Sequence, residues 1–203
     1  VSEFMGFALC LAYLLFLLIY FREYELKSRT EQYNELINMQ LRSLRSEIEQ
    51  AKKILLLGNE GFWDVLKRLY QSQGIWESQK PILLKELKQC KYSVCYRSVL
   101  VKENEKKLLL EAVTENPYNL FYYAQFLVMD YPNEIYELCA NYIREQCAQA
   151  TDRRLYKKVC KDLLQLIKWK GNATAKLLVD EFKATYPRRS ALLDELQKVE
   201  KKL

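Results

Sequence analysis

An unbroken apolar run near the amino terminus constrains the fold of this chain more than any other feature. The run, FMGFALCLAYLLFLLIYF at residues 4–21, contains no charged and no strongly polar side chain. As a helix it is about 27 Å long, close to the hydrocarbon thickness of a bilayer. A signal peptide would need a basic start and a small-residue cleavage site, and a soluble helix would need only one apolar face. The run therefore predicts a transmembrane helix.

The charges beside this run predict its orientation. Arg22, Lys27 and Arg29 follow it, whereas only Glu3 precedes it. Cytoplasmic flanks of membrane helices carry the excess of Lys and Arg. We therefore expect a single-pass membrane protein whose long carboxy-terminal part is cytoplasmic.

A regular apolar seam follows the run and continues to about residue 57. Its members are spaced by three or four residues, with one irregular step between Ile37 and Leu41: Leu26, Thr30, Tyr33, Ile37, Leu41, Leu44, Ile48, Ala51 and Leu55. Such spacing predicts one long helix with a coiled-coil seam. Two interpretations stay open for residues 26–55, namely a parallel homodimer and packing on the rest of the same chain.

The remainder of the chain, residues 58–203, has the pattern of short helices joined by brief turns. The whole chain has only 5 Gly and 4 Pro, and Gly58 and Gly61 interrupt the long helix. Scarce turn residues argue against an all-β fold and for helices with short joints. We predict an all-α chain with three segments: a transmembrane helix (1–21), a helical linker (22–57) and an irregular helix-hairpin array (58–203), TPR-like or α-solenoid.

Several positions in the array are predicted to begin or end helices. Thr151, Asn172 and Ser190 are of the residue types that cap helix starts, and Gly171 is of the type that ends a helix. The stretch CYRSVLV, residues 95–101, is rich in β-branched and aromatic residues. Its helical neighbours nevertheless favour a helix there.

The composition removes most catalytic and metal chemistry. The chain has no His, which excludes Ser-His-Asp and Cys-His arrangements and histidine metal ligands. Its six Cys form no C-x-x-C pair, so we expect reduced, mostly buried thiols. No Gly-rich phosphate loop or paired carboxylate site occurs in the sequence. We predict no enzyme activity, no cofactor and no metal.

Basic residues in the last third of the chain are the candidate contacts for a partner or an anion. They are Arg153, Arg154, Lys157, Lys158, Lys161, Arg188 and Arg189. The alternative for Arg188 and Arg189 is a structural corner, in which they hold acids such as Asp180 or Glu181, or exposed carbonyls. The net charge of +6 is small and mixed with acids, so we do not expect nucleic acid as a partner.

Residues 153–199 resemble the carboxy-terminal helical region of bacterial SWIM zinc-finger proteins. The resemblance rests on Leu155, Tyr156 and Val159, on Leu163 and Lys168 before Gly171, and on YPRRSALLDEL; it extends back through NPYNLFYYAQFLVMDYP to about residue 61. It implies a tandem-helix interaction region. The family's zinc motif, C-x-C followed by C-x-H, is absent, so the resemblance carries over no zinc ligand.

Residues 4–53 are similar to the last membrane helix and linker of sensor histidine kinases of the pheromone-receptor type. No phospho-accepting His and no kinase motif follows them. The sequence thus predicts a non-enzymatic, membrane-tethered module that binds a protein partner. Two other interpretations stay open: a nucleic-acid-associated region of a SWIM-type protein, and a truncated or fused fragment, since the chain changes character at Gly58.

Overall fold

The backbone of residues 2–90 and 93–203, and the side chains of 15–90 and 94–203, are described by a computed structural model. Over these residues the chain forms α-helices and no strand, which confirms the predicted all-α class. The helices are α1 (Ser2–Leu56), α2 (Phe62–Ser72), α3 (Trp76–Gln89), α4 (Ser93–Lys102), α5 (Lys106–Glu115), α6 (Leu120–Ala124), α7 (Pro132–Gln149), α8 (Arg153–Lys168), α9 (Asn172–Thr185) and α10 (Ser190–Glu200). The stretch at residues 95–101 is helical, as predicted.

Contacts between helices divide the chain into two compact units, Val1–Tyr92 and Ser93–Leu203. The first unit contains α1, α2 and α3, so the residues just after Gly58 pack with the long helix that precedes them. The contacts therefore group the helices differently from the three segments 1–21, 22–57 and 58–203, which remain a prediction. Gly58 marks the end of a helix within the first unit.

The first unit has its core where the end of α1 meets α2. Leu55, Trp63 and Leu66 are completely buried there. The indole rings of Trp63 and Trp76 meet edge to face, with 5.3 Å between their centroids. An ion pair of 2.8 Å between Lys52 and Glu86 joins α1 to α3. Half of the predicted seam thus packs on the same chain.

The amino-terminal part of the seam has no such cover within the described residues. Ile48 and Ala51 are buried and Leu44 is half-buried, but every described side chain from Leu26 to Leu41, except that of Ser28, is exposed. Packing within the chain therefore accounts for residues 44–55. A parallel homodimer through the exposed residues 26–41 stays a prediction.

The predicted transmembrane helix lies mostly beyond the described side chains, since those of residues 4–14 are not among them. Among the described residues, no helix is long and apolar enough to span a bilayer. The span at residues 4–21 and its orientation stay a prediction.

The second unit, residues 93–203, is a series of helix hairpins. Consecutive helices pack together in the pairs α4–α5, α7–α8 and α9–α10. In addition, α7 packs on α9 and α8 packs on α10, so each helix of one hairpin meets its counterpart in the next. Leu163, Leu166, Leu178 and Leu196 are completely buried between these helices. Apolar residues at helical spacing therefore form a shared core of α8, α9 and α10.

Four of the helices end on a residue with left-handed backbone. The residues and their φ angles are Gly58 (99°), Gly74 (70°), Asn104 (55°) and Lys170 (68°). In each case the next amide donates a hydrogen bond to the carbonyl five residues earlier, for example Asn59 to Ile54 and Gly171 to Leu166. This is the Schellman arrangement, which satisfies carbonyls at the helix end.

Three predicted helix caps were wrong by one residue. The side chain that caps α8 is Asp152, whose Oδ1 accepts from the amide of Leu155 at 2.9 Å, and not Thr151. Asn172 and Ser190 are the first helical residues of α9 and α10, and neither caps its helix. A carboxylate is as good a cap as a hydroxyl, so residue type alone could not decide between neighbours.

Gly171 does not end α8, because Lys170 occupies the left-handed position. A glycine is required at residue 171 because a backbone carbonyl and an aromatic ring lie close to its Cα, where a side chain would be. A Cβ at residue 171 would lie 3.1 Å from the carbonyl oxygen of Leu166 and 3.2 Å from the ring of Tyr136. The hydroxyl of Tyr136 donates to the carbonyl of Trp169, which fixes that ring over the turn.

Candidate functional site

The seven basic residues predicted as partner contacts all lie in the second unit, on α8 and at the turn between α9 and α10. The structure separates them into three groups with different surroundings. Arg153 and Arg189 are engaged within the protein, Arg188 is exposed, and four residues on one side of α8 are exposed together.

Arg153 joins the start of α8 to α10. Its Nε lies 3.1 Å from Oε1 of Glu195, and its Nη2 lies 3.1 Å from Oδ2 of Asp194. Glu195 also accepts from Nζ of Lys198 at 2.8 Å. Lys198 first, and Arg153 second, hold the pKa of the Glu195 carboxyl below its ordinary value. Arg153 is therefore half of a structural ion pair between two helices, although half of its own surface is exposed.

Arg189 has the structural role given above as the alternative to partner binding: it holds exposed carbonyls at a corner between helices. Its Nη1 donates to the carbonyl oxygens of Cys147 at 2.9 Å and Ala150 at 3.2 Å, at the end of α7. Its guanidinium also lies over the ring of Tyr186, 4.0 Å from the centroid. A cation beside helix-terminal carbonyls is favourable, because these carry the negative end of the helix dipole.

The acids named for this corner are not the partners of Arg189. Glu181 binds Arg144 instead, through two contacts of 3.0 Å from Nε. Arg188, the neighbour of Arg189, is exposed. Adjacent arginines therefore have different environments, and the sequence could not distinguish them because both follow Pro187.

A basic face of α8 is formed by Arg154, Lys157, Lys158 and Lys161, and all four side chains are exposed. None of them makes a hydrogen bond or an ion pair within the described part of the chain. Lys158 and Lys161 oppose the effect of burial on the pKa of Asp162, which lies on the same helix. The four positive charges are therefore open to solvent.

Arg97 on α4 is an internal arginine that the sequence analysis missed. It is 1% exposed, and its Nη atoms donate to the carbonyl oxygens of Tyr118 at 2.6 Å, Asn116 at 2.7 Å and Ala112 at 3.2 Å. Its guanidinium also lies 5.5 Å from the ring centroid of Tyr123. Burial lowers the pKa of Arg97. Arg97 holds the end of α5 to the turn before α6.

That turn forms one wall of a surface pocket of about 440 Å³. The other walls come from α6, α7 and α8, and the pocket is lined by Pro117, Tyr118, Asn119, Leu120, Phe121, Tyr122, Tyr142, Lys158 and Asp162. Burial raises the pKa of the Asp162 carboxyl to about 6, against the opposing effect of Lys158 and Lys161. The run of aromatic residues at 118–123 was the signal in the sequence, but its contact with α8 depends on the tertiary fold.

The thiols of the described residues have no activated member. Cys95, Cys139, Cys147 and Cys160 are buried, and Cys90 is half-buried. Burial raises the pKa of Cys139 and Cys160 to about 12 and that of Cys147 to about 11. A thiol is a nucleophile or a metal ligand only as the thiolate, so these pKa values suppress both roles at neutral pH. The side chain of Cys10 lies outside the described part.

No cluster of three metal-ligating side chains occurs among the residues that the structure describes. The seam of α1 is the other large feature at the surface, with Tyr33 66% exposed and Ile37 51% exposed. Comparison with protein-family models, curated proteins and solved structures finds no match to this chain.

Proposed function

We propose that the chain is a non-enzymatic, membrane-tethered helical module that binds protein partners. The observation that carries the proposal is the uncovered seam of α1. Leu26, Tyr33, Ile37 and Leu41 are 46–66% exposed and lie at coiled-coil spacing. Contiguous apolar surface of this kind on a soluble segment marks an interaction site.

The partner of this seam is a second copy of the chain, in parallel orientation. The irregular step at Ile37–Leu41 fits an 11-residue repeat, in which Leu26, Ile37 and Ile48 are equivalent positions. Such a repeat gives nearly straight or slightly right-handed pairs of helices. Two copies tethered through residues 4–21 in one bilayer would have their α1 helices parallel.

Disulfide cross-linking of the full chain in lipid nanodiscs tests this pairing. In a background with Cys10 and Cys90 replaced by Ser, we expect Ile37→Cys to cross-link readily, since it lies on the seam. Glu35→Cys lies on the opposite side of α1 and is the matched control. Equal cross-linking at the two positions, or none at Ile37→Cys, would contradict a parallel pair.

The tether itself is tested by flotation with vesicles and by extraction at alkaline pH. We expect the full chain to float with vesicles and to resist extraction. Leu11→Arg places a charge in the middle of the predicted span and should weaken insertion by about 3 kcal/mol. Arg188→Ala, far from the span, should float as the unmodified chain does. Loss of the unmodified chain to the soluble fraction would refute the tether.

The second unit is a TPR-like array that offers a binding surface to protein partners. Its support is the packing of α7 on α9 and of α8 on α10, since stacked hairpins place equivalent helices side by side. The resemblance of residues 61–203 to the helical region of SWIM proteins implies the same kind of role.

Nucleic-acid binding is the second candidate function, because Arg154, Lys157, Lys158 and Lys161 form one exposed basic face. Binding through this face would weaken steeply with salt, since each neutralised phosphate releases counterions. We expect no binding of duplex or single-stranded oligonucleotides at low salt. Salt-dependent binding that is lost on replacing the four residues by Gln would favour this function over the first.

A further inference from the structure

The pocket beside α6 and α8 has a polar group that no described residue satisfies. Asp162 lines the pocket and is half-buried, and its carboxylate accepts no hydrogen bond from the residues that the structure describes. No ion pair to Asp162 occurs within the described part of the chain. A half-buried carboxylate is usually paired or hydrogen-bonded, so its acceptor capacity is open to a ligand.

The walls around this carboxylate are aromatic and firmly held. The ring of Phe121 is stacked on that of Trp169, at 5.8 Å and 17° between planes, and meets Tyr142 edge to face at 5.9 Å. The buried guanidinium of Arg97 donates to the carbonyl oxygen of Tyr118, which fixes the backbone of this lining residue. The pocket is therefore preorganised, which lowers the entropic cost of binding.

Exposed apolar side chains line the pocket or lie next to residues that line it. Tyr122 and Tyr118 are each 59% exposed, and Phe126, whose ring contacts that of Tyr122 at 5.9 Å, is 39% exposed. Met129, a little farther along, is 88% exposed. Exposed aromatic and Met side chains of this kind are enriched at protein interfaces.

The charge and the walls together favour a cation over an anion. A carboxylate attracts a cation directly, and ring faces attract it through their quadrupoles. Lys158 also lines the pocket, but its side chain is exposed. A long lysine side chain can keep its ammonium group in solvent. Asp162 is short and half-buried on α8, so the negative charge remains in place.

We infer that this pocket binds an arginine side chain of a partner polypeptide, with the guanidinium on Asp162 and the flanking apolar residues on Tyr118, Tyr122 and Phe126. The planar guanidinium can make two parallel hydrogen bonds to a carboxylate while stacking on an aromatic ring. A volume of about 440 Å³ accommodates an arginine together with part of a neighbouring side chain, which favours a peptide over a small free cation. The inference rests on the proposed function, because it names the partner chemistry of that module.

The test uses the full chain in nanodiscs and an array of octapeptides with a central arginine among varied apolar residues. Each peptide has a twin with citrulline, which has the shape of arginine without its charge. We expect at least one arginine peptide to bind ten times more tightly, or more, than its twin. Asp162→Asn should abolish that preference, whereas Lys158→Ala should keep or increase it.

The variant Asp162→Asn is expected to fold, because it removes a charge whose burial is unfavourable, and circular dichroism checks this. No arginine-dependent binding on the array, an unchanged preference in Asp162→Asn, or equally tight binding of free agmatine would each overturn the inference. Cross-linking at Ile37→Cys reports on the proposed function through a different unit. Cross-linking at Ile37→Cys together with no arginine-dependent binding on the array would refute arginine binding in the pocket. The proposed pairing of α1 would not be affected.

Discussion

Replacing Arg189 by alanine should destabilise the second unit, whereas the same change at Arg188 should not. Arg189 donates to two carbonyls at the end of α7 and lies 4.0 Å from the ring centroid of Tyr186. Arg188 is exposed and makes no hydrogen bond or ion pair with the residues that the structure describes. The two arginines are adjacent in sequence but have different environments in the fold. The same substitution at Arg188 is therefore a matched control for Arg189→Ala.

The size of the effect follows from the contacts of Arg189. Two hydrogen bonds to carbonyls at a partly open site contribute about 0.5–1 kcal/mol each, and the contact with the ring of Tyr186 adds about 0.5–1 kcal/mol. We therefore expect Arg189→Ala to lower the free energy of unfolding by about 2 kcal/mol, and Arg188→Ala by less than about 0.5 kcal/mol.

Urea denaturation of the full chain, followed by far-ultraviolet circular dichroism, measures both values. With a slope near 2 kcal/mol per molar urea, the midpoint for Arg189→Ala should fall by about 1 M. The double variant with Tyr186→Leu isolates the ring contact, and we expect a coupling of about 0.5–1 kcal/mol. An equal effect of the two alanine variants, or no effect of Arg189→Ala, would refute this account of the corner.

Three further predictions concern the second unit. Asp152→Ala should cost about 1 kcal/mol of stability and Thr151→Ala almost nothing, because only Asp152 caps α8; chemical denaturation compares them, and equal losses would reject the cap. Arg97→Met should cost about 3 kcal/mol, since three carbonyls lose a buried donor that the methionine cannot replace; a thermal midpoint as high as that of the unmodified chain would contradict this. The raised pKa of Asp162 means that the folded state takes up a proton between pH about 4 and about 6, so this carboxyl lowers stability as the pH rises through that range. Asp162→Asn should therefore be more stable than the unmodified chain at pH 7, by at most about 3 kcal/mol, and equal to it below pH about 4; a gap that persists at low pH would show another cause.

The fold class could be predicted from the sequence because its signal is local. Few breakers and apolar residues at helical spacing are sufficient to predict helices, even for residues 95–101. The element that packs on each apolar helix face, by contrast, cannot be predicted from the sequence of that helix alone. The seam of α1 has apolar residues every three or four positions along its whole length, yet Leu55 is completely buried and Tyr33 is exposed, because only the last turns of α1 pack on other helices.

Only the local part of the basic site follows from the sequence, and its role as a partner contact stays a prediction. Helical spacing accounts for the shared exposed face of Arg154, Lys157, Lys158 and Lys161. It could not show that Arg153 reaches residues 41 and 42 positions later, or that a buried arginine on α4 holds the turn before α6. Such contacts depend on which helices pack together, and the local pattern of a single sequence does not predict that packing.

The packing of each helix in the second unit on its next or next-but-one neighbour has a consequence for how the chain folds. Contacts of short sequence separation form quickly, because little loop entropy is lost in closing them. A chain emerging from the ribosome can therefore assemble α4 with α5, and then α7 with α8, while synthesis continues. The buried face that α8 shares with α10 is completed only when Leu192, Leu196 and Val199 have been made. Until then, the apolar side of α8 is exposed on the nascent chain, as a surface that a chaperone could bind.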